Sequence, residues 1–278
     1  MTLIAFTKMH GLGNDFVVID NLTQGITLTP AQIRFIADRH LGVGCDQLLL
    51  VEKPAQGSTA DFKYRIFNAD GSEVAQCGNG ARCFARFVRD KKLSDKTQIL
   101  VDTHARQLLL CFDDDDLITV NMGVPQHAPA DIPLAVSVEA VAYTINVNGV
   151  DCAFGAVSMG NPHAVIVVEN IDTAPVNALG KALESHPCFP ERANIGFMQI
   201  INRQHIKLRV FERGAGETSA CGSGACAAVV VGIEQQHLDA CVKVELPGGD
   251  LSIQWQGREH PVWMTGAAVS VFDGQLDL

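Results

Sequence analysis

No apolar run in the sequence approaches the roughly 20 residues a helix needs to span a bilayer, so a helical membrane anchor is excluded. A surplus of positive charge is also lacking: 21 Lys and Arg stand against 31 Asp and Glu, a formal net charge of −10. That sign is wrong for a chain that neutralises phosphates along nucleic acid or docks on an anionic membrane, which leaves small molecules or proteins as partners. The opening stretch MTLIAFTKMHGLGNDF has only a short apolar run before Lys8 and His10, so no signal peptide and a cytoplasmic location are expected. Cysteines are present but lack the framework of a secreted scaffold. Their number, 9, is odd and their spacing irregular, which points to reduced thiols. Cys111, Cys152, Cys188 and Cys241 read as small buried hydrophobes. Apolar residues make up 47% of the 278, enough for one large core or two ordinary ones, and the length favours two domains.

The chain contains a repeat. The stretches YRIFNADGSEVAQCGNGA and LRVFERGAGETSACGSGA share, without a gap, Arg65 with Arg209, Phe67 with Phe211, Glu73 with Glu217, and Cys77 with Cys221, followed by two glycines and an alanine. The same offset links Thr29 with Thr173, each expected to cap an amphipathic helix with proline in its first turn. A third pair, GNDFVVID from Gly13 and GNPHAVIVVE from Gly160, reads as a Gly-Asn turn running into a β-branched strand. The chain is therefore expected to be two copies of one fold. Between them lies a hairpin, QLLLCF and LITVNM around the acidic run Asp113 to Asp116, then Pro125, Pro129 and Pro133, which suit a connection between domains and place the boundary near Met122. The acidic run lacks the spaced ligands and glycine of a calcium loop and reads as a solvated hairpin tip. Strand-like segments such as IKLRVF, VKVEL and LSIQW outnumber helical ones. Each half is expected to be an α/β unit of the α+β type, a curled, mostly antiparallel sheet around a central helix.

In each copy the motif Cys-Gly-x-Gly-Ala opens a helical stretch, so Cys77 and Cys221 are expected at helix N-termini. The partial positive charge there favours thiolate, and uncovered backbone N–H groups of the first turn can hold a carboxylate. If the duplication faces the two copies across a cleft, one thiol can remove a proton from one face of a carbon while the other returns one to the opposite face. That is the requirement for inverting a stereocentre without a cofactor. The N–H groups would stabilise the enediolate-like charge that develops. Three rivals use the same residues. The segment GSGACA from Gly222 with Glu245 downstream loosely fits a dinucleotide fingerprint, but a loop separates the preceding strand from the first glycine. Zinc held by Cys77 with Cys83, or by Cys221 with Cys226, fails because separations of six and five residues turn roughly 240° and 140° around a helix. A thiol-redox enzyme leaves the paired cradles unexplained.

The stretches KMHGLGNDF, GCDQLL, FNADGSEVAQCGNGARC, MGNPH, ERANIGFMQI, ERGAGETSACGSGACAA and LPGGDL resemble the diaminopimelate epimerase family over nearly the whole chain. The proline racemase-like enzymes share the two-cysteine scaffold but usually carry His where Asn79 stands, which favours the epimerase. The resemblance implies an isomerase independent of PLP and of any other cofactor or metal. It would interconvert LL- and meso-diaminopimelate for lysine and peptidoglycan precursors, with the small-molecule substrate as partner, no nucleic acid or membrane, and compatibility with a homodimer. It implies an N-terminal domain of residues 1–121 joined by a returning strand at 267–278, and a C-terminal domain of residues 122–266. Cys77 and Cys221 match the catalytic pair, and Gly78, Asn79, Gly222 and Ser223 the cradle of the reacting carboxylate. The resemblance alone supplies Asn14, Gln47, Asn68, Asn161, Asn194, Glu212 and Arg213 as substrate ligands, with His163 and Glu212 tuning the thiols. Cys45 in GVGCDQ is a further thiol without an assigned role.

Overall fold

The computed structural model describes residues 3–75, 77–113 and 116–278. Asp114 and Asp115, at the expected hairpin tip, lie outside the described residues. The chain divides into two compact units, Met1–Asn121 with Thr265–Leu278, and Met122–Met264. No helix among the described residues is long and apolar enough to cross a membrane.

In the first unit the strand Leu3–Gly11 pairs antiparallel with Val269–Asp277 on one side and with Asn14–Asp20 on the other. Asn14–Asp20 runs parallel to Gln47–Glu52, which pairs antiparallel with Phe62–Asn68. Phe62–Asn68 is in turn parallel to Gln98–Asp102, and the hairpin Gln107–Phe112 with Ile118–Gly123 completes the series. The helix Gly78–Asp90 packs on the strands Leu3–Gly11 and Asn14–Asp20, burying Ala81, Phe84, Phe87 and Val88. Phe84 meets Tyr64 edge-on at 5.3 Å between ring centroids, an arrangement favoured by the ring quadrupoles. Thr29 caps the helix Pro30–Ala37 with a complete capping box to Gln32, and Ile33 and Ile36 enter a core shared with Ile4, Val17 and Leu48.

The second unit repeats the pattern. Pro162–Val167 is parallel to Asn194–Asn202, which is antiparallel to His205–Glu212, itself parallel to Cys241–Leu246. The helix Gly222–Glu234 is apolar on nearly every side and its middle is fully buried, as Ala225 to Val230 show. The result is a duplicated, mixed α/β architecture in which sheet dominates helix.

Three local expectations change. Thr173 does not cap a helix: the helix Val176–Glu184 starts after Pro175, and Thr173 Oγ1 donates to Asn170 O at 3.4 Å. Ala174 stands between Thr173 and the proline, and the residue before a proline is disfavoured in the helical region, so the start shifts. The polar segment ahead of each cysteine motif is a tight hairpin, since Glu73–Val74 and Gly216–Thr218 pair back on the preceding strands. Cys152 and Cys188 are buried as expected, whereas Cys111 is half-buried and Cys241 exposed, because both fall on strand positions that alternate away from the core.

Candidate active site

Each cysteine motif begins where a helix begins. Cys77 is the N-cap of Gly78–Asp90 with extended backbone, φ −142° and ψ 125°, and Cys221 is the N-cap of Gly222–Glu234 with φ −116° and ψ 105°. Neither helix end has a side-chain cap. The second glycine of each motif serves packing. A Cβ on Gly80 would lie 2.6 Å from Tyr64 Oη, and one on Gly224 would lie 3.0 Å from Val210 Cγ2. Only glycine lets the first helical turn settle this closely on the strand that precedes it.

In the first unit Cys77 is half-buried, and its Sγ lies 3.7 Å from Asn14 Oδ1. Asn79 Nδ2 donates to the same oxygen at 3.3 Å. The structure thus brings Asn14, Cys77 and Asn79 together. Asn14 is placed by a turn in which Gly13 has φ 84°, a value glycine tolerates without strain. Gln47 and Asn68 face each other in the strand register, and Gln47 Nε2 donates to Asn68 Oδ1 at 3.0 Å, with Asn68 Nδ2 donating to Ser72 Oγ at 3.3 Å. Beside Asn14 lies an ion cluster. Arg39 Nη2 reaches Asp15 Oδ1 at 2.8 Å and Asp46 Oδ1 at 2.7 Å, and Lys8 Nζ reaches Asp15 Oδ2 at 2.6 Å. Burial opposes the Asp15 charge, yet the bonds from Arg39 and Lys8 hold its carboxyl well below the usual range. Cys45 is buried, which pushes its thiol up to about 11 and favours the protonated form at neutral pH.

In the second unit Cys221 is 4% exposed, and its Sγ lies 3.7 Å from Ser223 Oγ. Burial drives its thiol pKa well above the ordinary value, and the adjacent Glu212 carboxylate adds to that, while Ser223 and the Gly224 N–H act in the opposite direction. This corrects the expectation that a helix N-terminus yields a thiolate: at Cys221 desolvation and a neighbouring anion outweigh the helix end. Glu212 also accepts from Thr218 Oγ1. Asn161 Nδ2 donates to Ser223 Oγ at 3.4 Å, and His163 Nε2 lies 3.0 Å from Asn161 Oδ1. His163 is buried. Burial first, and Arg213 second, lower its pKa from 6.5 to about 3, so it is neutral and donates its Nε2–H to Asn161. Asn194 sits opposite His163 in the parallel register. Its Nδ2 donates to Pro162 O at 3.1 Å and its Oδ1 accepts the Arg213 backbone N–H at 2.9 Å. The Arg213 guanidinium donates to Glu191 O at 3.0 Å.

Two residues at these sites escape the sequence reading. Arg82 is completely buried and donates from Nη2 to Asn79 Oδ1 at 2.9 Å and from Nε to Ala267 O at 3.2 Å. The repeat carried a signal for it: the matching position in the second copy is Cys226, an apolar residue, so a charge falls on a buried helix face. Asp46, next to Cys45, accepts from Asn14 Nδ2 at 2.9 Å, and nothing in its local sequence marks it.

The fold is shared with solved structures of low sequence identity. A phenazine biosynthesis protein of the PhzF family from Bacillus anthracis superposes with a TM-score of 0.71 at 17% identity, covering 100% of both chains. A hydroxyproline epimerase from Agrobacterium vitis, solved with trans-4-hydroxy-L-proline bound, gives 0.71 at 15% identity, covering 99% of this chain and 92% of the other. Sequence is more specific. A diaminopimelate epimerase of Nitrosomonas europaea is 58% identical over 275 residues, 99% of each chain. The diaminopimelate epimerase family model matches residues 6–128 and 155–271, ranges that contain both cysteine motifs and the asparagine, histidine, glutamate and arginine side chains around them. With two helix-capping cysteines in duplicated units and a match along almost its whole length, the chain belongs to the diaminopimelate epimerase family.

Proposed function

We propose that the chain interconverts LL- and meso-diaminopimelate by two-base proton transfer, with Cys77 and Cys221 as the acid–base pair. The observation that carries this is the duplicated placement of a cysteine as N-cap of a helix, the position next to which the first-turn N–H groups are not used by the helix's own i to i−4 ladder. Inversion at a carbon needs a proton taken from one face and another supplied to the opposite face. One cysteine acts as thiolate and takes the α-proton, and the other acts as thiol and gives one up, so the pair exchanges protonation states with each turnover. Cys221, whose protonated form is favoured by burial and by Glu212, is suited to begin as the acid, which leaves Cys77 as the base. The first-turn N–H groups at Gly78, Asn79, Gly222 and Ser223 receive the α-carboxylate and stabilise it as it takes on enediolate character.

The remaining side chains suit the unreacting end of the substrate, an amino acid in its own right. A guanidinium pairs with its carboxylate and a carboxylate with its ammonium, the parts assigned to Arg213 and Glu212, while Asn14, Gln47, Asn68, Asn161 and Asn194 check configuration through directed hydrogen bonds. The two compact units serve as its domains, and a homodimer belongs to the same reading. The test is incubation of the purified, dialysed protein with LL-diaminopimelate, without additions, followed by chiral separation. Conversion towards an LL and meso mixture, reached equally from meso, is expected. No conversion, or racemisation of proline in its place, would refute the proposal.

A further inference from the structure

Asn14 and Asn79 each have one end of the side-chain amide held by a group of fixed polarity. A guanidinium only donates and an ionised carboxylate only accepts. Arg82 Nη2 donates to Asn79 Oδ1 at 2.9 Å, and Asn14 Nδ2 donates to Asp46 Oδ2 at 2.9 Å. Amide oxygen and nitrogen are close in shape, so only such partners decide which way an amide faces. Here both ends are decided. Asn79 must turn its nitrogen, and Asn14 its oxygen, towards the other, and these two atoms meet at 3.3 Å. Asn14 Oδ1 is also the atom that faces Cys77 Sγ, at 3.7 Å.

The ends are themselves anchored. Arg82 is wholly buried and tied to Ala267 O, and it is charged at any working pH. Asp46 receives Arg39 Nη2 at 2.7 Å and the Asp15 backbone N–H at 3.1 Å. We propose that Arg82 and Asp46 are positioning residues that lock the polarity of the Asn14 and Asn79 amides, so that the Cys77 sulfur always meets a carbonyl oxygen and never an amide NH2. The consequence is chemical. An NH2 group turned to the sulfur would stabilise the thiolate and weaken it as a base, whereas the oxygen leaves it reactive. The inference rests on the reading of Cys77, Asn14 and Asn79 as active-site residues.

The test compares two variants that remove the same charge. Asp46→Leu leaves Asn14 Nδ2 without an acceptor, while Asp46→Asn can still offer it an oxygen. Asp46 is exposed, so both should retain the thermal midpoint of the wild type within a few degrees, and kcat and KM with LL-diaminopimelate are measured for each. The expected result is a kcat lower by about tenfold or more for Asp46→Leu, a smaller change in KM, and recovery of most of the loss in Asp46→Asn. Arg82→Lys against Arg82→Met applies the same comparison at the donor end, with Lys the less impaired. Equal kcat in Asp46→Leu and Asp46→Asn, or loss confined to KM, overturns the inference while an active wild type leaves the functional reading standing. A wild type that does not epimerise diaminopimelate overturns that reading, and the inference with it.

Discussion

Asn14 and Asn161 follow matched Gly-Asn turns, with φ 84° at Gly13 and 89° at Gly160, yet their amides face opposite ways. Asn14 presents its oxygen to Asn79 Nδ2, and Asn161 presents its nitrogen to Ser223 Oγ. The partner at the far end explains the difference: the acceptor Asp46 holds the nitrogen of Asn14, and the neutral His163 ring holds the oxygen of Asn161. The duplication repeats the backbone but not the polar surroundings of the two thiols. Two thiols in unlike surroundings can start a cycle in unlike protonation states, as two-base inversion requires.

Both cysteines are needed if each carries one proton transfer. Cys77→Ala and Cys221→Ala should each lower epimerisation by at least ~100-fold, the lower end of what a positioned acid or base contributes. Circular dichroism should stay that of the wild type, since each change removes one small atom group. Near-normal turnover in either variant would rule out the paired mechanism.

Glu212 should set the protonation of Cys221. Removing its charge in Glu212→Gln takes away an anion that favours the thiol, so the Cys221 pKa falls. The pH profile of Cys221 alkylation, followed by peptide mapping, should move to lower pH in the variant while epimerisation declines. A profile that stays in place or moves upward would contradict the assignment.

His163 links the site to acid stability. Its pKa is depressed in the folded state, from 6.5 to about 3, so between those values the unfolded chain binds more protons. The stabilising effect is complete above about pH 6.5 and is lost as pH falls below it, at up to about 1.4 kcal/mol per unit. His163→Gln cannot titrate but keeps an N–H for Asn161. Its urea midpoint should therefore drop less between pH 7 and pH 5 than that of the wild type, and parallel losses would contradict this.

Gly80 should resist alanine. In a helix the change ordinarily gains up to about 1 kcal/mol, but a Cβ here would press on Tyr64 Oη, which donates to Cys77 O at 3.3 Å. Overpacking costs about 1–3 kcal/mol and should win, so Gly80→Ala lowers the unfolding midpoint, and more than Gly224→Ala, whose nearest neighbour is farther away. A stabilised Gly80→Ala would show that the turn has room to move.

Much of this is legible in the sequence. The gapless match around Cys77 and Cys221 is a backbone signal, because glycine spacing and strand periodicity repeat with the fold, and it predicts both helix-capping cysteines. The Thr173 cap does not form because Ala174, between threonine and proline, delays the helix, a local detail that helix signals average over. The Cys221 thiol departs from the sequence expectation for another reason. Its helix end is visible in sequence, but its burial and the approach of Glu212 arise only from packing. Arg82 and Asp46 belong to the same class, since their roles depend on which way Asn79 and Asn14 turn.

The central claim, that two thiols divide the proton transfer, is tested most directly in deuterated water at early times. With LL-diaminopimelate as substrate, the account predicts that the first meso product carries deuterium at the inverted α-carbon while the remaining LL substrate keeps its hydrogen, because the thiol that delivers exchanges with solvent and is not the one that abstracts. Early product retaining its original α-hydrogen would mean a single base that carries the proton across, and would contradict the account.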